Sequence, residues 1–418
     1  MTRGEPGAAE VEAAALRLAP VVRRTELELS PRLSAAVGAP VRLKRENRQI
    51  TRSYKVRGAY HLISGLTEQD RSRGVVCASA GNHGQGVAWS CARLGIEGRV
   101  YVPGSTPRQK RQRIVALGEG RVELVVGGST YDAAGVAARA DADRTGAVFV
   151  HPFDDLRTIL GQGTVAAEIS EQLPGPLHTV LAPVGGGGLV AGMALWLRER
   201  RPEVRIIGVE PSGAASMTAA LAAGRPVALD RVDTFVDGAA VGTVGQLTFP
   251  LVRDLVDEVV TVDAGAVSTE MLELYQVEGI IAEPAGALAS AAARHLVGQV
   301  PGDQSLVCVV SGGNNDVSRY GEILERSLIH QGLRHYFLVS FPQEPGALRH
   351  FLADVLGAGD DIVVFEYVKK NNRETGPALV GIELESAADL TGLLARMELS
   401  PLTIEQVSPG SPLFTFLM

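Results

Sequence analysis

The chain has 418 residues, of which 45% are hydrophobic, 21% charged and 5% aromatic, with a formal net charge of −7. That length suits two or three domains around a large core, and interspersed charge with few aromatic rings argues against a nucleic-acid surface. The three cysteines, Cys77, Cys91 and Cys308, lie in apolar runs without CxxC or Cys/His spacing, which excludes a disulfide or zinc framework and suits a reducing compartment.

The N-terminus carries charge early and has no signal-peptide core. From about residue 40 to 320, short apolar runs alternate with helical patterns. Strands are expected at 73–78, 99–103, 121–126, 147–151, 179–184, 204–210 and 305–310, with helices at 82–94 and 107–117. Continuous Val/Ile/Leu runs mark strands covered on both faces, so the pattern is that of a doubly wound α/β fold with parallel sheets. Residues 178–197 are uncharged and nearly long enough to cross a bilayer, but Pro183 and four consecutive glycines break them into buried strand, loop and helix. Near residue 330 the pattern changes. Period-two alternation over 332–341, a helix opening at 345–348, strands at 362–367 and 378–383 around a loop at 369–377, and a helix at 387–397 give β-α-β-β-α order. That is the order of a small ferredoxin-like α+β module. The expected domains are 1–328, with a smaller subdomain at about 50–150, and 329–418.

Four segments carry chemistry. Lys55 stands in Ser-Tyr-Lys-Val-Arg-Gly-Ala-Tyr at the start of a helix. An arbitrary lysine is a solvated surface residue; one that forms a Schiff base must be desolvated enough for its amine to be neutral. Ser79, Ala80, Gly81, Asn82 and His83 join a strand to a helix, where outward N–H groups suit a carboxylate or a phosphate, or where glycines simply permit tight packing. Gly185, Gly186, Gly187, Gly188 and Leu189 make the best phosphate cradle in the chain. An amine and a phosphate cradle together point to pyridoxal 5'-phosphate. A rival reading takes Gly186-x-Gly188-x-x-Ala191 as a dinucleotide fingerprint with Glu210 on the ribose, making the chain an NAD-dependent oxidoreductase. That reading leaves Lys55 and Asn82 unexplained. Ser311, before Gly-Gly-Asn-Asn, lies at the carboxyl end of a strand, as a turn residue or a ligand contact.

Taken together, these segments and Glu283-Pro-Ala-Gly resemble the fold-type II pyridoxal-phosphate enzymes (tryptophan synthase β-like), and most closely the biosynthetic threonine dehydratases, also called threonine ammonia-lyases. The tail resembles that family's ACT-like regulatory domain through residues 341–348 (Phe-Pro-Gln-Glu-Pro-Gly-Ala-Leu) and 370–377 (Lys-Asn-Asn-Arg-Glu-Thr-Gly-Pro). The resemblance implies that Lys55 binds the cofactor aldehyde and acts as base. It implies that Asn82 bonds the ring oxygen, that Gly185, Gly186, Gly187, Gly188 and Leu189 hold the phosphate, and that Ser311 faces the pyridine nitrogen. Ser79, Ala80, Gly81, Asn82 and His83 would hold the substrate carboxylate. The implied reaction is β-elimination and deamination of L-threonine to 2-oxobutanoate and ammonia, the first step of isoleucine biosynthesis, with L-serine as a further substrate. A serine dehydratase or other fold-type II activity is the neighbouring alternative. The tail implies inhibition by isoleucine and activation by valine, in a cytoplasmic homotetramer without a membrane partner. Two departures are informative. Ala80 stands where the related serine racemases carry a serine acid/base, and Ser216 stands where their cation site wants a carboxylate, so no metal is expected.

Overall fold

The computed structural model describes residues 6–367, 374–408, 411, 413 and 414. Residues 370–373 of the second tail motif lie outside them. In chain order the strands are β1 (Leu27–Leu29), β2 (Val41–Lys44), β3 (Val75–Ala78), β4 (Gly98–Val102), β5 (Val122–Val126), β6 (Val148–Phe149), β7 (Leu177–Pro183), β8 (Arg205–Pro211), β9 (Glu258–Val262), β10 (Ser305–Val309), β11 (Arg334–Pro342), β12 (Asp361–Tyr367), β13 (Thr375–Glu383) and β14 (Thr403–Gln406). They form two compact units, one up to Asp316 and one from Val317 on.

The first unit holds two sheets. The larger has the order β1-β2-β10-β7-β8-β9 and the smaller β5-β4-β3-β6. All pairs are parallel except β1 with β2. β3 and β10 are buried at every position and β7 and β8 at nearly every one, as continuous aliphatic runs on doubly covered strands require. The strands at 27–29, 41–44 and 258–262 were not expected from the sequence; charge interrupts the first two, and Asp257 and Glu258 precede the short apolar run of the third. In β2 the charge faces inward. Lys44 is fully buried and donates to Glu168, to Gln172 and to the carbonyl of Thr25, each at 2.8 Å.

That lysine belongs to a buried ion cluster behind the helix Lys55–Ser64. Arg57, 1% exposed, donates to both oxygens of Glu46 (2.8 and 2.9 Å) and to both oxygens of Glu168 (2.7 and 2.9 Å). Burial alone would lower the Arg57 guanidinium, but the two carboxylates hold it above its ordinary value. Two cations and two carboxylates balance, which is what allows such a cluster inside a protein.

Three helices cross at glycines. A Cβ on Gly58, in the helix Lys55–Ser64, would stand 2.7 Å from the carbonyl oxygen of Thr158. One on Gly161, in Leu156–Gln172, would stand 2.7 Å from Gly58 Cα. One on Gly192, in Gly188–Arg200, would stand 2.2 Å from the carbonyl oxygen of Ile159. These helices touch backbone to backbone, and no side chain at those positions can turn aside.

The second unit orders its sheet β12-β13-β11-β14, antiparallel throughout. With the helices Ala347–Asp354 and Leu390–Leu399 this is the ferredoxin-like arrangement, completed by a final strand that Glu405 and Thr403 make read as a polar tail. Phe337, Val339 and Phe341 alternate inward against Phe351, Leu393 and Met397. The helix Tyr320–His330 belongs here too. Its Glu325 pairs with Arg334 and accepts from the Tyr336 hydroxyl at 2.7 Å.

Gly192→Ala is expected to destabilise the first unit by about 1–3 kcal/mol, because backbone must move to admit the methyl group. A thermal midpoint equal to that of the unsubstituted protein would show that the crossing is looser than described.

Candidate active site

The carboxyl ends of β3, β7 and β10 lead into residues 79–83, 185–189 and 311–314, the places where open parallel sheets bind ligands. Lys55 is the first residue of its helix. It is anchored by a bridge between Ser53 and Gly312 and by the Tyr54 amide, which donates to the Ser311 carbonyl at 3.1 Å. Its Nζ donates to the Pro152 carbonyl at 3.0 Å. Burial lowers its amine to about 8, with the carboxylate of Glu283 opposing the shift.

Asn82 opens the helix Asn82–Leu94. Gly86 in that helix packs on the Lys55 helix, since a Cβ there would lie 3.2 Å from Val56 N and 3.3 Å from Lys55 C. Lysine and Asn82 loop are thereby fixed to each other. His83 is buried. Its Nε2 pairs with the Val150 carbonyl at 2.8 Å, and burial, with Lys55 and His151 nearby, pushes it down to about 3. It is a neutral wall and no proton carrier. Ser79 accepts from the Gly81 amide at 3.3 Å. Ala80 adds no polar group.

In the second loop every Cβ would meet a wall. Added at Gly185 it would lie 3.0 Å from Ala239 Cα, at Gly186 2.2 Å from Phe153 Cγ, and at Gly188 3.0 Å from Phe153 Cα. Gly187 has φ of 90°, a left-handed value that side chains resist. The Thr248 hydroxyl donates to the Gly186 carbonyl at 2.6 Å, and the Leu189 side chain is buried. Phe153 follows the Pro152 that receives Lys55, so the segment His151–Pro152–Phe153 brings the lysine and the glycine loop together. From the sequence His151 is expected only as a strand end, and Pro152 and Phe153 are given no role. A His-Pro-aromatic-Asp-Asp run directly after a strand was the available signal.

Helix starts around the cleft differ in their caps. Glu210 is fully buried and accepts from the amides of Met217 (2.7 Å) and Thr218 (2.8 Å) and from the Thr218 hydroxyl (2.8 Å), at the start of Ser216–Ala223. Fully buried and bonded to its own chain through both oxygens, it is not presented to a ribose, and the dinucleotide reading is not favoured. Asp154 accepts from the amides of Gln246 (3.0 Å) and Leu247 (2.8 Å) before Thr248–Leu255. The helices beginning at Asn82 and Gly188 have no side-chain cap. Their positive ends stay open to an anion.

On the third loop, Ser311 is 3% exposed and donates to the Ala285 carbonyl at 3.1 Å. Beside it lies Glu283, to which the sequence reading gave no role. Burial, with Asp237 near, raises its carboxyl to about 7. Asn82 Nδ2 donates to it, and the Asn314 amide donates to its other oxygen at 3.2 Å.

A side-chain-free cradle at an uncapped helix end, joined to an enclosed lysine, fits a phosphate-bearing aldehyde. Comparison with known proteins agrees. Residues 18–312 match the family described as pyridoxal-phosphate dependent enzyme, and residues 325–417 match the C-terminal regulatory domain of threonine dehydratase. The chain is 59% identical over 412 residues, covering 98% of itself and 96% of the relative, to the biosynthetic L-threonine dehydratase of Mycobacterium tuberculosis. It is 47% identical over 398 residues, covering 95% of itself and 94% of the relative, to that of Bacillus subtilis. Among solved structures, the processed threonine deaminase isoform 2 of Solanum lycopersicum aligns with TM-score 0.72 at 38% identity, covering 77% of this chain and 94% of that one. Maize serine racemase aligns with TM-score 0.71 at 33% identity, covering 78% and 98%.

An amine lowered to about 8 is neutral above that pH and charged below it. In protein stripped of small molecules, labelling of Lys55 by trinitrobenzenesulfonate should therefore rise with pH through a midpoint near 8. An ordinary lysine titrates near about 10.4, and a midpoint there, followed by peptide mass mapping, would contradict the enclosure described.

Proposed function

As the chain belongs to the pyridoxal-phosphate-dependent enzymes, and within them to the biosynthetic threonine dehydratases, we propose that it converts L-threonine to 2-oxobutanoate and ammonia by loss of the Cα proton and the β-hydroxyl followed by hydrolysis. The observation that carries this is the Lys55 amine held by Pro152, next to the Phe153 that walls the glycine cradle. When bound, pyridoxal phosphate supplies the electron sink that makes the Cα–H bond of an amino acid acidic.

The chain's own residues do the rest. Lys55 holds the cofactor's aldehyde carbon and, as a free amine, takes the Cα proton. Burial lowers that amine, towards the neutral form a base requires. The amides of Gly185, Gly186, Gly187, Gly188 and Leu189 would hold the phosphate, Asn82 would donate to the ring oxygen, and the Ser311 hydroxyl would face the ring nitrogen. The loop Ser79, Ala80, Gly81, Asn82 and His83 would take the substrate carboxylate at the open helix end, though not through the Ser79 amide, which donates to the Tyr101 carbonyl at 3.1 Å. Ala80 leaves the opposite face without an acid/base, which favours elimination over racemisation. L-Serine, lacking only the β-methyl group, is a further substrate.

The unit up to Asp316 is the proposed catalytic part and the unit from Val317 the regulatory part, twelve residues earlier than the boundary at 328 expected from the sequence because the helix Tyr320–His330 goes with the second unit, in a cytoplasmic homotetramer. Isoleucine would inhibit and valine activate from a cavity of about 400 Å³ lined by Phe341, Leu348, Leu352, Phe365 and Tyr367, with Glu344 at its edge. Its apolar walls suit a branched side chain. Glu344 suits the ammonium, and the first amides of Ala347–Asp354 suit the carboxylate.

Purified protein should be yellow, lose its colour on borohydride treatment, and form 2-oxobutanoate from threonine, whereas Lys55→Ala should form at least a hundredfold less. Colourless protein, or an active Lys55→Ala variant, would end this reading. Ala347→Trp, which fills the cavity, should raise the isoleucine concentration for half-inhibition at least about tenfold. An unchanged inhibition curve would move the effector elsewhere.

A further inference from the structure

Asn82, Glu283 and Asn314 form a closed hydrogen-bonded circuit. Asn82 Nδ2 donates to Glu283 Oε1. The backbone amide of Asn314 donates to Glu283 Oε2 at 3.2 Å, and Asn314 Nδ2 donates to Asn82 Oδ1 at 2.6 Å. Asn314 Nδ2 also donates to the Thr51 carbonyl at 2.9 Å, which fixes which end of its amide is nitrogen. Above about pH 7, where the Glu283 carboxyl is ionised and can only accept, Asn82 must turn its nitrogen to Glu283 and its oxygen to Asn314. Glu283 is itself held in place. Its amide donates to the Gly312 carbonyl at 3.1 Å, and its carboxylate lies so flat on Gly312 that a Cβ there would come within 2.1 Å of Oε1. The carboxylate is 5% exposed and joins residues 201 positions apart in sequence.

We infer that Glu283 is a positioning residue: with Asn314 it locks the Asn82 amide so that a single remaining Nδ2–H is presented to the cofactor's ring oxygen. This rests on the reading that the cleft holds pyridoxal phosphate. An unlocked asparagine could rotate and offer its oxygen instead, placing one acceptor against another. The locked one can only donate, and so favours the ionised ring oxygen. Two matched donors require two acceptors, which Glu supplies and Gln does not.

The test uses full-length protein at pH 8.5, comparing the unsubstituted enzyme with Asn82→Ala, Glu283→Gln, Asn314→Ala and the pairwise double variants. The readouts are the visible absorption band of bound cofactor and the dissociation constant for pyridoxal phosphate. Glu283→Gln and Asn314→Ala should each shift the band and weaken binding about tenfold, the effect of one charge-assisted hydrogen bond. Added to Asn82→Ala they should do almost nothing further, as expected for residues acting through it. Effects that multiply in the double variants, or an unaltered band and affinity in the single ones, would overturn the inference. A merely structural role would lower the thermal midpoint and leave the band where it is. Should Glu283→Gln fail to fold, the Asn82/Asn314 cycle decides by the same criteria. An unsubstituted enzyme without a borohydride-sensitive band would instead overturn the cofactor reading itself.

Discussion

Main-chain contact between helices is the constraint on which the first unit rests. Gly58, Gly161 and Gly192 let the helices Lys55–Ser64, Leu156–Gln172 and Gly188–Arg200 meet without intervening side chains. The first of these helices begins at Lys55, the proposed cofactor-binding amine, and the third begins in the glycine loop 185–189 proposed as the phosphate cradle. The middle one is reached from Phe153 and Asp154, which wall that cradle and cap its neighbour. Reactive amine and cradle are thus set by rigid elements. Gly86 extends the same principle to the Asn82 helix. A binding site assembled from three distant parts of the chain owes its geometry to residues that contribute no functional group.

Electrostatics divides the Lys55 helix into two environments. Behind it, Arg57 and Lys44 are saturated by Glu46 and Glu168, and the guanidinium stays charged. In front, Lys55 has a carbonyl for a partner and only a more distant carboxylate, so burial prevails and the amine loses its proton readily. Two basic residues two positions apart are therefore driven in opposite directions by what surrounds them, one towards structure and the other towards chemistry.

Much of this was legible in the sequence. The helix Asn82–Leu94 has the bounds its glycines and apolar spacing imply, and the buried runs of β7, β8 and β10 lie where continuous aliphatic stretches place them. Strand β2 was not legible, because Arg42 and Lys44 look like solvent-facing residues until Glu168, more than a hundred positions later, neutralises Lys44. Glu283 and Phe153 escaped for the same reason. Their meaning lies in partners brought close only by folding: Asn82 for the one, Gly186 for the other. Local pattern reports which face of an element is covered and is silent on who covers it.

The uneven capping of helix starts has a further consequence. Glu210 and Asp154 act as built-in counter-ions for two helices beside the cleft, while those at Asn82 and Gly188 have none. The protein thereby decides where negative ligands can settle by choosing which positive poles it silences. On the proposed reading, a dianion at the glycine-ringed start of the Gly188 helix and a monoanion at the Asn82 helix would settle at separate positive poles, so orientation would be imposed before any bond is made or broken.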